Sequence, residues 1–247
     1  MQIKVYKMKI FRYEITDSTN TRAREYAKSE NPHFPAIFIA DGQSAGRGRR
    51  GRSFDSKRGA GLYISFLVKP SGAAQDAVKI TAKAAVSISR TLERVLGLSV
   101  GIKWVNDIFV GGKKLAGILT EGEIDSEGGF AFAVCGMGIN LLSREFPPEL
   151  RDIVTTVEDN TGNVPDREEL ISVLIEEFLS ERDDAEIMTE YRRRSIVIGK
   201  KVTVNRISGQ SFLATVLDIT DSGGLLVEKE SGEREELISA EVSLRFV

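Results

Sequence analysis

Gly46-Arg47-Gly48-Arg49-Arg50-Gly51-Arg52 sets the problem that the rest of the chain has to solve. Its three glycines let the backbone turn left-handed and approach a ligand closely, and its four arginines carry permanently charged planar forks that match phosphate and carboxylate geometry. The charge is local. From Gly46 to Arg58 the cations are these arginines with Lys57 and Arg58, against Asp55 alone, whereas the whole chain carries −2. A near-neutral protein that gathers its positive charge in one Gly-rich loop is built to grip a compact anion, because a long nucleic-acid backbone calls for a broad basic face. A flexible solvated loop and a short Arg-rich RNA-binding element are the alternatives.

Working outward, Ala36–Ala40 reads as a short buried strand leading into the loop, and Gly61–Val68 as a strand leading out of it. About eighteen residues between them lack a regular pattern, a length that in a compact domain goes with function. Upstream, Lys9–Ile15 alternates as a strand, and Asp17-Ser18-Thr19-Asn20 has N-cap chemistry for a helix to about Lys28. Capping alone would account for Ser18 and Thr19. Downstream, Ala73–Leu96 has helical apolar spacing without Gly or Pro and stops at Gly97. Val100–Val105, Asp107–Val110, Lys113–Gly122 and Phe130–Leu141 then read as an antiparallel meander. A polar stretch, Thr155–Asn163, leads to a helix capped by Asp166 and reaching about Arg194, where Arg192–Arg194 is expected to be a charged terminus. After Gly199, short strand candidates with Gly-containing turns (Val202–Asn205, Phe212–Ile219, Leu225–Glu230, Glu235–Ile238, Val242–Phe246) suggest a small β-barrel of SH3-like size.

Composition narrows the class. Apolar and charged fractions of 41% and 28% are those of an ordinary soluble globule. No apolar run approaches the roughly 20 residues that cross a bilayer, and the Met1 end lacks a signal-peptide core, so a cytoplasmic protein without membrane contact is expected. One cysteine excludes an internal disulfide, and one histidine beside one cysteine excludes the usual zinc sets. Cys135, in an apolar strand candidate, reads as core filler, and His33 has no partner for catalysis.

The chain resembles the catalytic core of biotin protein ligase, the biotin–[acetyl-CoA-carboxylase] ligases, over nearly its whole length. Separated motifs carry the resemblance in order: Asp-Ser-Thr-Asn (17–20), Gln-Ser-Ala-Gly-Arg-Gly-Arg-Arg-Gly-Arg (43–52), Gly-Leu-Tyr-Ile-Ser (61–65), Lys-Trp-Val-Asn-Asp (103–107) with Lys-Leu-Ala-Gly-Ile-Leu (114–119), and Gly-Met-Gly-Ile-Asn (136–140). The resemblance implies an α+β fold of the class II synthetase-like type. A mixed, mainly antiparallel sheet carries helices in a catalytic domain over 1–195, followed by an SH3-like barrel domain over 196–247. It also implies two steps: biotin attacks ATP to give biotinyl-5′-AMP, and a lysine of a biotin carboxyl carrier protein then takes the biotinyl group.

The resemblance implies biotin contacts at Ser18, Thr19, Asn20, Gln43, Arg47, Gly48, Arg49, Lys114 and Gly117. It implies ATP contacts at Arg49, Arg50, Arg52, Phe54, Lys103, Asn106 and Asn140, and Mg²⁺ as the accompanying ion. Lys114, Arg49 and Asp107 are the implied catalytic residues. By position alone Lys114 equally fits a solvated lysine after the Gly111-Gly112 turn, and Asp107 a strand-end carboxylate. Two roles for Asp107, Mg²⁺ ligand or orienter of the acceptor amine, stay open. Val105 stands where the family more often has proline, and Phe54 where many relatives have tryptophan. Trp104 reads as core packing. The early Ser18-Thr19 corner leaves no room for the helix-turn-helix domain of repressor relatives, so no DNA partner is expected, and the chain is expected to be a monomer or homodimer. A lipoate or octanoyl ligase or transferase shares the implied fold and is the competing enzyme.

Overall fold

The computed structural model describes residues 8–70, 77–206, 209–238 and 241–244. A seven-stranded sheet dominates it, in the order β1-β2-β3-β7-β6-β5-β4. These strands are β1 (Lys9–Thr16), β2 (Ala36–Gln43), β3 (Gly61–Val68), β4 (Gly101–Lys103), β5 (Asp107–Val110), β6 (Lys113–Ile124) and β7 (Phe130–Asn140). Only β1 and β2 run parallel, with α1 (Thr19–Ala27) as their crossover; every other neighbouring pair is antiparallel.

Each face of the sheet has its own cover. On one face α1 buries Ala23 with Phe38, Leu67, Phe132 and Val134. On the other, α2 (Ala77–Leu96) turns Ala82, Ala85, Ile88 and Leu92 into the main core, as its helical spacing predicts. Gly97, at φ 63°, ends that helix where a side chain would be strained. Residues 73–76 of the expected helix lie outside the described residues.

The single helix expected from Asp166 to Arg194 is two. Asp166 does cap α4 (Arg167–Leu179), its carboxylate accepting from the Glu168 and Glu169 amides. Ser180 then leaves the helical region at ψ 149°, and Asp183 caps a second helix, α5 (Asp184–Arg193), by accepting from the Glu186 amide at 2.8 Å. The break lets both helices lie on α2. The polar connection expected at Thr155–Asn163 contains a further short helix, α3 (Val157–Thr161), capped by Thr156 and closed by Gly162 at φ 71°.

Beyond residue 200 the strands β8 (Lys201–Asn205), β9 (Ser211–Ile219), β10 (Leu225–Lys229), β11 (Arg234–Leu237) and β12 (Glu241–Leu244) form a five-stranded antiparallel sheet, ordered β11-β10-β9-β8-β12. The expected last strand continued to Phe246; residues 245–247 lie outside the described residues. This sheet does not float. Val202, Val216 and Leu225 join the same apolar cluster as α2, and the Trp104 indole donates to the Gly223 carbonyl at 2.9 Å.

The arginines at the end of α5 are more than the charged terminus expected of them. Arg194 is buried, forking onto Glu93 of α2 at 2.6 and 2.8 Å and onto Glu190, while Arg192 donates to the Ile219 carbonyl at 2.8 Å and pairs with Asp221. Arg194 joins α5 to α2, and Arg192 ties α5 to the second sheet. The Trp104–Val105 peptide, in the turn between β4 and β5, is cis.

Candidate active site

The face that carries α1 is left open beyond that helix's N-terminus, and there the sheet must be bare. Glycines make it so. A Cβ at Gly138 would lie 2.5 Å from the Phe54 ring, one at Gly117 would lie 3.2 Å from the Lys114 Nζ, and one at Gly136 would collide with the Asn20 amide. Three glycines on β6 and β7 thus become a floor on which other side chains lie flat. The N-terminus of α1 forms one wall, the arginine loop the roof and the segment 146–154 the far wall, around a cavity of about 630 Å³.

One end of the cavity is lined by a chain of neutral polar groups. The Thr19 amide and hydroxyl donate to Gln43 Oε1 at 2.8 and 3.2 Å, and Gln43 Nε2 donates to Ser56 Oγ at 2.9 Å. The buried Ser65 hydroxyl lies 2.7 Å from both Thr19 Oγ1 and Asn20 Oδ1, while Asn20 Nδ2 donates to Glu121 at 2.8 Å and to the Leu119 carbonyl. Each rotor is held by a neighbour, so donors and acceptors face the cavity in fixed directions. Ser18 occupies the cap position of α1 but makes no capping bond. The capping explanation therefore fails for Ser18. Asp17 fixes the corner instead: burial opposes its ionisation, but hydrogen bonds from Arg22, the Ser18 amide and Thr16 outweigh it and hold the carboxyl below its usual value.

The arginine loop is a bonded structure. Gly46 accepts from the Phe54 amide at 2.9 Å, Arg52 accepts from the Gly48 amide at 2.7 Å, and residues 49–51 make a single 3₁₀ turn with Arg50 left-handed at φ 56°. Arg47 reaches Glu121 at 3.1 Å, and Arg49 donates to Asn106 Oδ1 at 3.3 Å. Phe54 lies over Gly117 and Gly138, edge-on to Tyr63. Burial pushes the Tyr63 phenol up to about 12, and its hydroxyl donates to the Lys57 carbonyl.

Opposite the loop, Lys114 is not a solvated turn lysine. Its backbone pairs with residues 153–155, its side chain is 29% exposed, and its Nζ lies 2.7 Å from Asp107 Oδ1. Asn106 is fixed by donating to the Ile118 carbonyl at 2.9 Å, Asn140 by donating to the Thr155 carbonyl at 3.3 Å, and Lys103 lies over the Phe109 ring. Cys135 is buried in β7, where burial pushes its thiol up to about 12.

Every residue singled out from sequence lines this one cavity: Ser18, Thr19, Asn20, Gln43, Arg47, Gly48, Arg49, Arg50, Arg52, Phe54, Lys103, Asn106, Asp107, Lys114, Gly117 and Asn140. Trp104, read as core packing, is buried and also lines it. Sequence reading missed the wall from Phe146 to Val154, the contribution of Val242 from β12, and Glu121, which holds both Arg47 and Asn20. The arrangement juxtaposes a neutral hydrogen-bonding end with a strongly cationic one, as a reaction joining a neutral-headed carboxylate to a polyphosphate requires.

The sequence profile of the biotin/lipoate A/B protein ligase family matches residues 13–140, and that of the biotin protein ligase C-terminal domain matches residues 197–245. The bifunctional ligase/repressor BirA of Bacillus spizizenii is 32% identical over 241 residues, covering 94% of this chain and 72% of that protein. The biotin–[acetyl-CoA-carboxylase] ligase of Paracoccus denitrificans is 31% identical over 92% of this chain and 97% of its own. Among solved structures, a biotin protein ligase from Aquifex aeolicus in complex with biotin and ATP superposes with a TM-score of 0.79 at 27% identity, covering 96% of this chain and 98% of that one. The chain belongs to the biotin/lipoate A/B protein ligase family. Within it, the C-terminal domain and these relatives make it a ligase of the biotin type.

Proposed function

We propose that this chain joins biotin to ATP as biotinyl-5′-AMP and passes the biotinyl group to a lysine of a biotin carboxyl carrier domain. In the first step a carboxylate oxygen of biotin bonds to the α-phosphorus, and the bond to the β-phosphate breaks to release pyrophosphate. In the second the lysine amine bonds to the acyl carbon, AMP departs, and the amine loses a proton. The observation that carries the reading is that Lys114, its Nζ 2.7 Å from Asp107 Oδ1, lines the same cavity as Thr19, Asn20, Gln43 and the arginine loop.

The roles divide along the cavity. Ser18, Thr19, Asn20 and Gln43 supply hydroxyls and amides for the ureido ring, whose own donors and acceptor need partners of both kinds. Arg47, Gly48 and Gly117 let the bicyclic ring and its chain lie against the loop and the bare floor. Lys114 holds the carboxylate against the α-phosphate and stabilises charge there as the new bond forms. Arg49, Arg50 and Arg52 grip the phosphates, Phe54 offers a ring to adenine, and Lys103, Asn106 and Asn140 complete the nucleotide end. This catalytic unit spans 1–195, and the C-terminal unit, 196–247, closes the cavity's edge.

Among the described residues no three His, Cys, Asp or Glu side chains gather as a metal cage. The Asp107 carboxylate and the neighbouring Asn106 amide, both lining the cavity, are oxygen donors that fit Mg²⁺ carried on a triphosphate, which keeps most of its waters and takes one or two protein carboxylates. Asp107, with Asn106 beside it, would hold it, and the ion would draw charge from the departing pyrophosphate.

Biotin-dependent pyrophosphate release from MgATP tests the proposal, with lipoate and octanoate as comparisons. Release with biotin and not with the other acids is expected. Release with lipoate or octanoate alone would move the chain to the other branch of its family.

A further inference from the structure

The arginine loop is gripped at its far end by a residue that no motif includes. Arg144, just beyond β7, donates from Nη1 to Asp55 Oδ2 at 2.7 Å and from Nη2 to the Asp55 carbonyl at 3.3 Å. Its guanidinium also lies 4.2 Å from the centre of the Phe146 ring, which lines the cavity, and the side chain is only 11% exposed. A charge so nearly withdrawn from water, bound to both the side chain and the backbone of one residue and stacked on another, has little freedom. Asp55 follows Phe54 directly. The base of the loop is tied to the same segment, because Leu141 and Leu142 donate to the Ala60 carbonyl at 3.0 and 3.1 Å.

The geometry points to Arg144 as a positioning residue for the nucleotide end of the cavity. It clamps Asp55 to the chain that leads into the 146–154 wall, so that the Phe54 ring and the Arg52 backbone are set before ATP arrives. The biotin end has bonds of its own, and it meets the clamped segment at Ser56, whose hydroxyl accepts from Gln43 and donates to the Phe54 carbonyl, each at 2.9 Å. Thr19, Asn20, Gln43, Ser56 and Ser65 bond to one another without Arg144. Loss of the clamp therefore falls mainly on ATP and only weakly on biotin.

This inference rests on the ligase reading, and its test separates the two. Pyrophosphate release is measured for Arg144→Met, Arg144→Lys, Asp55→Asn and the Arg144→Met/Asp55→Asn double variant, with melting temperatures alongside. Arg144→Met is expected to raise the KM for MgATP about tenfold, with the KM for biotin within about twofold, as for the loss of one charge-assisted contact. Arg144→Lys, which keeps the charge and loses the fork, is expected to recover part of the loss. The double variant should be no worse than Arg144→Met, since both substitutions break one contact. Where Arg144→Met does not fold, Asp55→Asn alone decides, with a smaller rise in the same KM. Trypsin digestion without ligands supplies a readout independent of catalysis: the folded variants are expected to be cut after Arg50 and Arg52 several times faster than the parent. If the parent shows no activity but the variants' loops are cut faster, the clamp stands and the ligase reading falls. Unchanged KM for MgATP and unchanged cutting in folded variants, or equal rises in both KM values, would overturn the clamp.

Discussion

Lys114 Nζ lies 2.7 Å from Asp107 Oδ1, across the antiparallel pair that β5 makes with β6. The ion pair keeps the ammonium beside β5, and Gly117 beneath it carries no side chain that would crowd it. Lys114→Ala should cut biotinyl-adenylate formation by about two orders of magnitude, as expected on losing roughly 3 kcal/mol of transition-state stabilisation. Near-normal pyrophosphate release from a folded variant would remove Lys114 from the mechanism.

Asp107→Asn separates the roles left open for that carboxylate. An amide keeps the shape but neither the charge that orients Lys114 nor a full ligand charge for Mg²⁺. If Asp107 serves the first step, adenylate formation falls at least about tenfold and transfer from preformed biotinyl-AMP is unaffected. If it also orients the acceptor amine, transfer from preformed biotinyl-AMP falls as well. Single-turnover assays of the two steps read the difference, and a variant normal in both would make Asp107 a strand-end carboxylate only.

The glycine floor offers a spatial test. Gly136→Ala drives a methyl group into the Asn20 amide at the biotin end, and Gly138→Ala puts one 2.5 Å from the Phe54 ring at the nucleotide end. The first should raise the KM for biotin about tenfold with little change for ATP, and the second the reverse, each on the scale of one lost polar or stacking contact. Equal effects of both substitutions on both substrates would show that the cavity is not divided in this way.

Arg194 binds Glu93 and Glu190, and both glutamates titrate below their ordinary value of 4.5. For Glu93 the Arg194 hydrogen bonds dominate; for Glu190 burial opposes ionisation, and the hydrogen bonds from Arg90 and Arg194 outweigh it. The folded state therefore holds these protons less tightly than the unfolded chain. The resulting stability is present above the ordinary glutamate value and is lost as pH falls through the lowered ones. Arg194→Met should cost about 3 kcal/mol at neutral pH, a melting shift of roughly 6 to 12 °C, and should flatten the fall in melting temperature below pH 4.5. An unchanged acid profile would mean that the cluster contributes nothing to pH-dependent stability.

Much of this site was legible because its chemistry is contiguous. A loop with seven successive Gly and Arg residues shows its charge and its turns in its own composition, whereas Lys-Leu-Ala-Gly-Ile-Leu is legible only through the family resemblance. The wall from Phe146 to Val154 was not. It has no period and two prolines, and it belongs to the site because the Lys114 amide donates to the Ile153 carbonyl at 2.8 Å and Lys114 accepts from the Thr155 amide. A pairing between such distant residues leaves no local trace. The same holds for Glu121, which sequence presents as one charge on a strand and the fold places against both Arg47 and Asn20. The missed break between α4 and α5 has another cause: the run Ser180-Glu-Arg-Asp-Asp contains no Gly or Pro, and Asp183 caps a helix as readily as it sits on one's surface.

The arginine loop should report its own occupancy. Its like charges repel one another until an anion sits among them. Trypsin cutting after Arg47, Arg49, Arg50, Arg52, Lys57 or Arg58 should slow with biotin, and slow most with biotinyl-AMP, because a ligand that binds only the closed loop reduces the population open to cleavage. Cutting at an unchanged rate under saturating ligands would show that the loop does not close on them.

The central claim, that this cavity joins biotin to AMP, is tested most directly by mass detection of the intermediate. The purified chain is incubated with biotin, ATP and Mg²⁺ in the absence of any carrier protein, and the products bound to it are released and weighed. The account predicts biotinyl-5′-AMP in about one equivalent per active chain, formed with release of pyrophosphate and nearly absent from the Lys114→Ala variant. A parent protein that binds both substrates yet yields no biotinyl-5′-AMP would contradict it.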